Sequence, residues 1–221
     1  PNFVVCMFVG LMGGCLLGLL GWKSIAARTA ALSQAEGDIK NLAHSLAEHA
    51  ANTFKAPDLA MTGMVDLLKY QDPLPERFNV HLAKTVHSLP QLREMGVLTT
   101  TGQWRYSSLE QLPAHSNADR DYFVHHREKA DGELLITGPI TSRLTGRSTL
   151  LLSKRISDAK RAFAGVVFAA MDYERFRNFY GTFNVGSEGG VSLIDGTGKV
   201  LVRWPSVEAG RNLSGTDLFQ K

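Results

Sequence analysis

The chain has 221 residues, 44% of them hydrophobic and 20% charged, with a formal net charge of +3 at pH 7 and two cysteines. A charge so small and dispersed leaves no footprint for nucleic acid. Cys6 and Cys15 both lie in one apolar stretch, which excludes a disulfide framework and a thiolate metal site from everything after it.

That stretch, Phe3 to Trp22, is apolar or glycine throughout, twenty positions without a charge, and as a helix it matches a bilayer core of roughly 30 Å. A cleaved signal peptide and a lipoprotein signal ending at Cys15 are the alternatives. The run is longer than a signal core of about 7 to 15 residues, lacks a small-x-small cleavage site followed by a polar residue, and continues past Cys15. A permanent transmembrane helix over residues 1–22 is therefore expected, with glycines that suit close helix packing. Lys23 and Arg28 would by the positive-inside tendency hold the following side in the cytoplasm. The chain opens on Pro1 rather than Met, so a basic leader upstream would reverse that balance.

From Lys23 to Lys55, Ile25, Leu32, Ile39, Leu42, Leu46 and Phe54 recur at helical intervals in an alanine-rich stretch without proline. This predicts a stalk helix over residues 23–55, about 45 to 50 Å long, whose apolar face favours a parallel homodimer. His44 and His49 stand five apart and do not share a face as a metal pair would. Pro57 is expected to start a second helix ending near Tyr70, and Asp72-Pro73-Leu74-Pro75 to separate it from a third over residues 76–88.

The period then changes. Arg93 to Thr99 and Gln103 to Ser108, around Thr100-Thr101-Gly102, read as a hairpin. Trp104 and Tyr106, two apart on one strand, are expected to share a face and to line a pocket or cover the sheet. Asp119 has the chemistry of an N-cap for a short helix to about Lys129, ended by Asp131-Gly132. His125-His126 on it lacks a nearby acid or cysteine cluster, so no metal is assigned. Leu134 to Thr137 reads as a strand and Gly138-Pro139 as a break. The runs Ser148 to Ile156 and Phe163 to Met171, joined by a polar turn, predict two adjacent central strands. Lys154 and Arg155 interrupt the first, and one of them must leave the core unless it meets an anion. Phe176, Phe179, Tyr180 and Phe183 form a helical stripe that reads as core packing.

Residues 190–194 and 199–204, around Asp195-Gly196-Thr197-Gly198, repeat the hairpin pattern about 96 residues on. Gly-Thr-Gly-Lys lacks the longer span of a phosphate loop and the helix that follows one. The pattern predicts a duplicated module whose second copy stops at Lys221 before closing a sheet. No nucleophile elbow, metal-ligand spacing or role-separated carboxylate pair supports an enzyme, and no cofactor is expected. The residues by themselves point to a sheet floor with Arg120 to Phe123 as part of a small-ligand wall. The competing reading is that Arg120 pairs with Asp119 or Asp121 and braces the helix start.

In order and spacing, Gly96-Val97-Leu98 with Gly102-Gln103-Trp104-Arg105-Tyr106, then Asp119-Arg120-Asp121-Tyr122-Phe123, then Gly165 to Asp172, then Val191 to Gly196, Val200 to Pro205 and Gly210 to Gly215 resemble the double Cache sensors of bacterial diguanylate cyclases and histidine kinases. The resemblance implies an α+β fold: a long N-terminal helix followed by two PAS-like antiparallel modules, residues 56–183 membrane-distal and residues 184–221 the start of the membrane-proximal one. It implies a sensor in the inner membrane with its soluble part in the periplasm and its output domain outside this chain. In the amino-acid-binding branch an Arg-x-Trp-Tyr motif holds the ligand carboxylate, while a tyrosine and a later aspartate hold the amine. Here Arg120-Asp121-Tyr122-Phe123 takes the motif's place, His115 the upstream tyrosine's, and Thr141-Ser142-Arg143 the later loop, without an acid. The implied ligand is a small organic acid or an amino-acid-like molecule, with Arg120, Tyr122, Phe123, Trp104, Tyr106, His115 and Ser142 as candidate site residues. Arginine suits the role because its fork of donors matches a carboxylate bidentately. A ligand-free dimerisation module signalling through the stalk is the alternative.

Overall fold

The structure, a computed structural model, describes residues 2–205 and 212–216. Gly210 and Arg211 of the stretch compared above, and residues 217–221, lie outside them. The chain divides into two units, Pro1–Ala51 and Asn52–Lys221.

Helix α1 runs from Asn2 to Tyr70, and its N-terminal part is long and apolar enough to cross a membrane. The expected break at Pro57 does not occur, since α1 passes through it. Proline costs an interior helix one hydrogen bond and a steric clash. Here burial outweighs that local penalty: Phe54, Met61 and Met64 all point inward around the proline, and Phe54 stacks on Phe176 with ring centroids 5.5 Å apart.

After α2 (Pro75–Ser88) come β1 (Leu92–Leu98), β2 (Trp104–Ser107), α3 (Asp121–Glu128), β3 (Leu135–Thr141), β4 (Ser148–Ser157), β5 (Phe163–Asp172) and α4 (Tyr173–Tyr180). The five strands form one antiparallel sheet ordered β2-β1-β5-β4-β3, so the two longest apolar strands are adjacent and β5 is central, as their composition requires. Within β5, Gly165 takes φ 141°, and an added Cβ there would sit 2.1 Å from the Leu98 carbonyl oxygen. Gly138-Pro139 does not end β3. It forms a bulge, with the register against β4 shifting between Thr137 and Ile140.

The two basic residues of β4 leave it on opposite sides and both are answered. Lys154 meets Asp58 of α1 at 2.8 Å and Thr62 at 2.7 Å. Arg155, buried on the other face, donates to the carbonyls of His126 and Arg127 in the last turn of α3 and lies 4.9 Å from the centre of the Phe163 ring. A guanidinium there satisfies carbonyls that a helix end leaves open and complements the helix dipole. In α4, Asp172 caps the helix by accepting from the amides of Glu174 and Arg175; of the expected core stripe Phe176 and Tyr180 are buried, whereas Phe179 and Phe183, the latter beyond the helix end, are only half-buried.

Strands β6 (Val191–Ile194) and β7 (Val200–Trp204) form a two-stranded sheet. The hairpin of residues 99–103 recurs at 195–199 bond for bond. The Thr99 amide donates to Gln103 and the Asp195 amide to Lys199; Asn117 donates to the Gly102 carbonyl and Leu213 to that of Gly198; Arg120 donates to Asn117 and Thr216 to Leu213. Gly102 and Gly198 both take positive φ, 77° and 88°. These three hydrogen bonds repeat at one offset of 96 residues, which sets Thr216 where the first hairpin has Arg120.

Candidate functional site

The sheet face that carries Gly96, Leu98, Leu151, Val166, Phe168 and Ala170 packs against Tyr122 and Phe123 of α3. Beyond this contact the surface dips. Gly96 makes the dip possible, because a Cβ there would come within 2.6 Å of the Trp104 ring and 2.9 Å of the Phe168 ring. Trp104 stands edge-on to Phe168 at 5.1 Å and to His115 at 6.0 Å, and Tyr122 lies 6.1 Å from Phe168. The resulting aromatic walls enclose a cavity of about 30 Å³ that also touches Glu94, Asn117, Arg120, Ser142, Arg143 and Thr149. A second cavity of about 170 Å³ shares Arg120, Tyr122, Ile140 and Arg143. The first has room for about one water; the second has room for a small molecule.

Arg120 and Arg143 divide the available anions between them. Arg143 forks onto Asp119, with Nη1 2.9 Å from Oδ1 and Nη2 on Oδ2, and donates to the Ser116 carbonyl at 2.6 Å. Arg120 donates from Nη2 to the Thr141 carbonyl at 2.9 Å. Asp119 is thus not the N-cap of α3. That position falls to Arg120, with no side-chain cap, because the carboxylate that would have capped the helix is spent on Arg143. The Arg143 hydrogen bonds hold the Asp119 carboxyl down at about 2. The brace expected of Arg120 is thereby supplied by Arg143, and the Arg120 guanidinium stands at the cavity.

Burial pushes the Glu94 carboxyl up and the Tyr122 hydroxyl up. Burial, then Arg143 and Arg120, pushes His115 down, toward the neutral ring. Trp104 Nε1 is buried with no hydrogen-bond partner among the described residues. Arg120, the Asp119-paired Arg143, the Trp104 indole and the Glu94 carboxyl therefore line one cavity, a set able to bind an anion at one end and a cation at the other.

Of the candidate residues, Trp104, His115, Arg120, Tyr122 and Ser142 meet at the first cavity. Tyr106 does not. Leu98 pairs with Trp104 and Val97 with Tyr106, so two residues of β2 oppose one step of β1; this bulge turns the two aromatics to opposite faces. Tyr106 packs on Phe78 at 4.6 Å, and its hydroxyl donates to Asp72 at 2.8 Å. Phe123 is also absent from the cavity, fully buried and edge-on to Phe163 at 5.6 Å. Glu94, Asn117, Arg143 and Thr149 were not anticipated. Glu94 had a sequence signal, an acid two residues from Gly96 in the same strand and hence on the same face.

Comparison with known proteins matches residues 26–219 to the family model described as Cache domain. Among solved structures, the chain is similar to the extracellular domain of rpHK1S-Z16, assigned as a histidine kinase: 41% identity, TM-score 0.77, covering 86% of this chain and 79% of that one. It is also similar in fold to the ligand-binding domain of the Pseudomonas aeruginosa amino acid chemoreceptor PctC in complex with GABA (17% identity, TM-score 0.60, 80% and 78% covered). The same holds for the ligand-binding domain of the Pseudomonas fluorescens chemoreceptor CtaA in complex with L-serine (18% identity, TM-score 0.51, 79% and 78% covered). No curated protein matches the sequence.

Proposed function

As the chain belongs to the Cache domain family, we propose that it is the extracytoplasmic ligand-sensing part of a transmembrane signalling protein and that its first module, residues 56–183, binds a small carboxylate. The observation that carries this reading is the Arg120 guanidinium, which lines both the aromatic-walled cavity and the larger one of about 170 Å³ that has room for a small molecule, while Arg143 neutralises the neighbouring Asp119. Glu94 adds an acid at the same cavity, placed for a cationic group, so an amino-acid-like ligand fits the polar set better than a bare carboxylate. The solved relatives that hold GABA and L-serine support the same class. The apolar N-terminal helix anchors the protein in the inner membrane, with the sensing module on the periplasmic side and a kinase or cyclase output beyond this chain.

The exposed residues Ile25, Leu32 and Ile39 on α1 support a parallel homodimer along that helix, and a purely dimeric, ligand-free module is the reading to be excluded. A thermal-shift series separates the two. L-serine, GABA and butyrate are compared with butylamine, which lacks the carboxylate. A bound ligand at about 100 times its dissociation constant stabilises the fold by about 2.7 kcal/mol, a shift of several degrees. Shifts confined to carboxylates support the sensor; no shift with any carboxylate leaves the dimeric module.

A further inference from the structure

At the end of α3 away from the cavity, the chain folds a third ligating group back onto the paired histidines. His125 and His126 lie in the last turns of α3, and Asp131 follows in the turn closed by Gly132 at φ 68°. One ring nitrogen of each histidine and a carboxylate oxygen of Asp131 lie within 4.8 Å of one another. His125 Nε2 is 3.7 Å from Asp131 Oδ2, and the imidazoles stand edge to face with centroids 5.2 Å apart. Asp131 Oδ1 accepts from the Glu133 amide, which leaves Oδ2 turned to the histidines.

His126 is fully buried, and its two nitrogens are treated differently. Nε2 shares a hydrogen bond with Ser153 Oγ at 3.0 Å, whereas Nδ1 is buried without a hydrogen-bond partner among the described residues. Leaving a buried polar atom unsatisfied is unfavourable. If Nε2 carries the proton and donates to Ser153, Nδ1 presents a lone pair, and a second hydrogen bond that fixes the tautomer is what metal-bound histidines usually have.

We propose that His125, His126 and Asp131 form a binding site for a divalent transition-metal ion of the Zn²⁺ type, with water completing the coordination. Two imidazoles and a carboxylate are a donor set that Zn²⁺ accepts, at about 2.0 to 2.2 Å from each atom. Ligand atoms on such a tetrahedron are separated by about 3.3 to 3.6 Å, so the cluster needs only a modest inward rotation of the partly exposed His125 and Asp131. Arg155, on the carbonyls of His126 and Arg127, is the cation beside the site and limits its affinity. An ion here ties the turn at Asp131 to the helix that carries Tyr122.

The test is calorimetric titration of the untagged full chain in detergent with ZnCl₂, alongside melting curves with and without the ion. The wild type should bind one ion and gain thermal stability. Asp131→Asn and His125→Gln, both at partly exposed positions, should each weaken binding at least tenfold, and the double variant should abolish it together with the Zn²⁺-dependent gain. Because His126→Ala risks unfolding, Ser153→Ala is the fourth variant: loss of the tautomer-fixing bond should weaken binding about tenfold or more. Absence of one-site binding in the wild type, or unchanged binding in the double variant, overturns the site.

Discussion

Glu94 is the residue whose chemistry works against the free protein. Burial raises its carboxyl above the value of 4.5 that it has in the unfolded chain, so folding favours the protonated acid. That contribution is fully present below pH 4.5 and is lost as pH rises through the higher folded value. Above that folded value the ligand-free module carries a desolvated carboxylate, a cost that Glu94→Gln would remove. Melting curves without ligand should show Glu94→Gln more stable than wild type at pH 7 and equal to it near pH 4. A difference that does not change with pH would contradict this. The same variant should lose preference for ligands with an ammonium while still binding simple carboxylates. At this scale the sequence was legible where side-chain type alone decides: Arg120, Tyr122, Trp104, His115 and Ser142 were named and share a cavity. It misled where a register decides. One bulge in β2 sends Tyr106 to the other face, and Phe123, next to Tyr122, turns into the core. Arg143 was named only as part of the loop after Thr141, because its role depends on Asp119, 24 positions away.

At the level of elements, the site depends on β5 lying close beneath the hairpin of β1 and β2. Gly165 permits that approach. Gly165→Ala combines a positive φ with backbone overlap, and should cost about 2 to 4 kcal/mol in urea unfolding; a loss below about 1 kcal/mol would show that the strand relaxes freely there. The link between α1 and the sheet is the partly buried pair of Lys154 and Asp58. A double-mutant cycle with Lys154→Met and Asp58→Asn should give a coupling of about 1 to 3 kcal/mol, and a value near zero would assign the docking of this helix to apolar packing alone. Most elements were readable because their periods differ sharply: the alternation and apolar runs of β1, β4 and β5 leave little room for helix, and Pro75 and Asp172 mark helix starts by their own chemistry. Pro57 was misread because proline's local penalty is visible in the sequence, whereas burial of Phe54, Met61 and Met64 is not.

For the whole molecule, the hydrogen-bond pattern of the first hairpin recurs at an offset of 96 residues, and the position that answers to Arg120 is Thr216, which offers no charge to a carboxylate there. The repeat was legible because turn glycines are sparse and conspicuous; the geometry of the loop that follows each hairpin was not, since it rests on backbone hydrogen bonds that any residue can make. Dimerisation through α1 is expected to appear as a dimer by light scattering at tens of micromolar in detergent, and a monomer under those conditions would count against it. The central claim is a carboxylate held by Arg120. Calorimetry of wild type and Arg120→Ala with whichever of L-serine, GABA or butyrate shifts the wild-type melt most tests it directly. Charge-assisted hydrogen bonds contribute about 1.5 to 3 kcal/mol each, so the variant should bind at least tenfold more weakly, up to about a hundredfold, while remaining folded. Unchanged affinity in a folded Arg120→Ala protein would contradict the account.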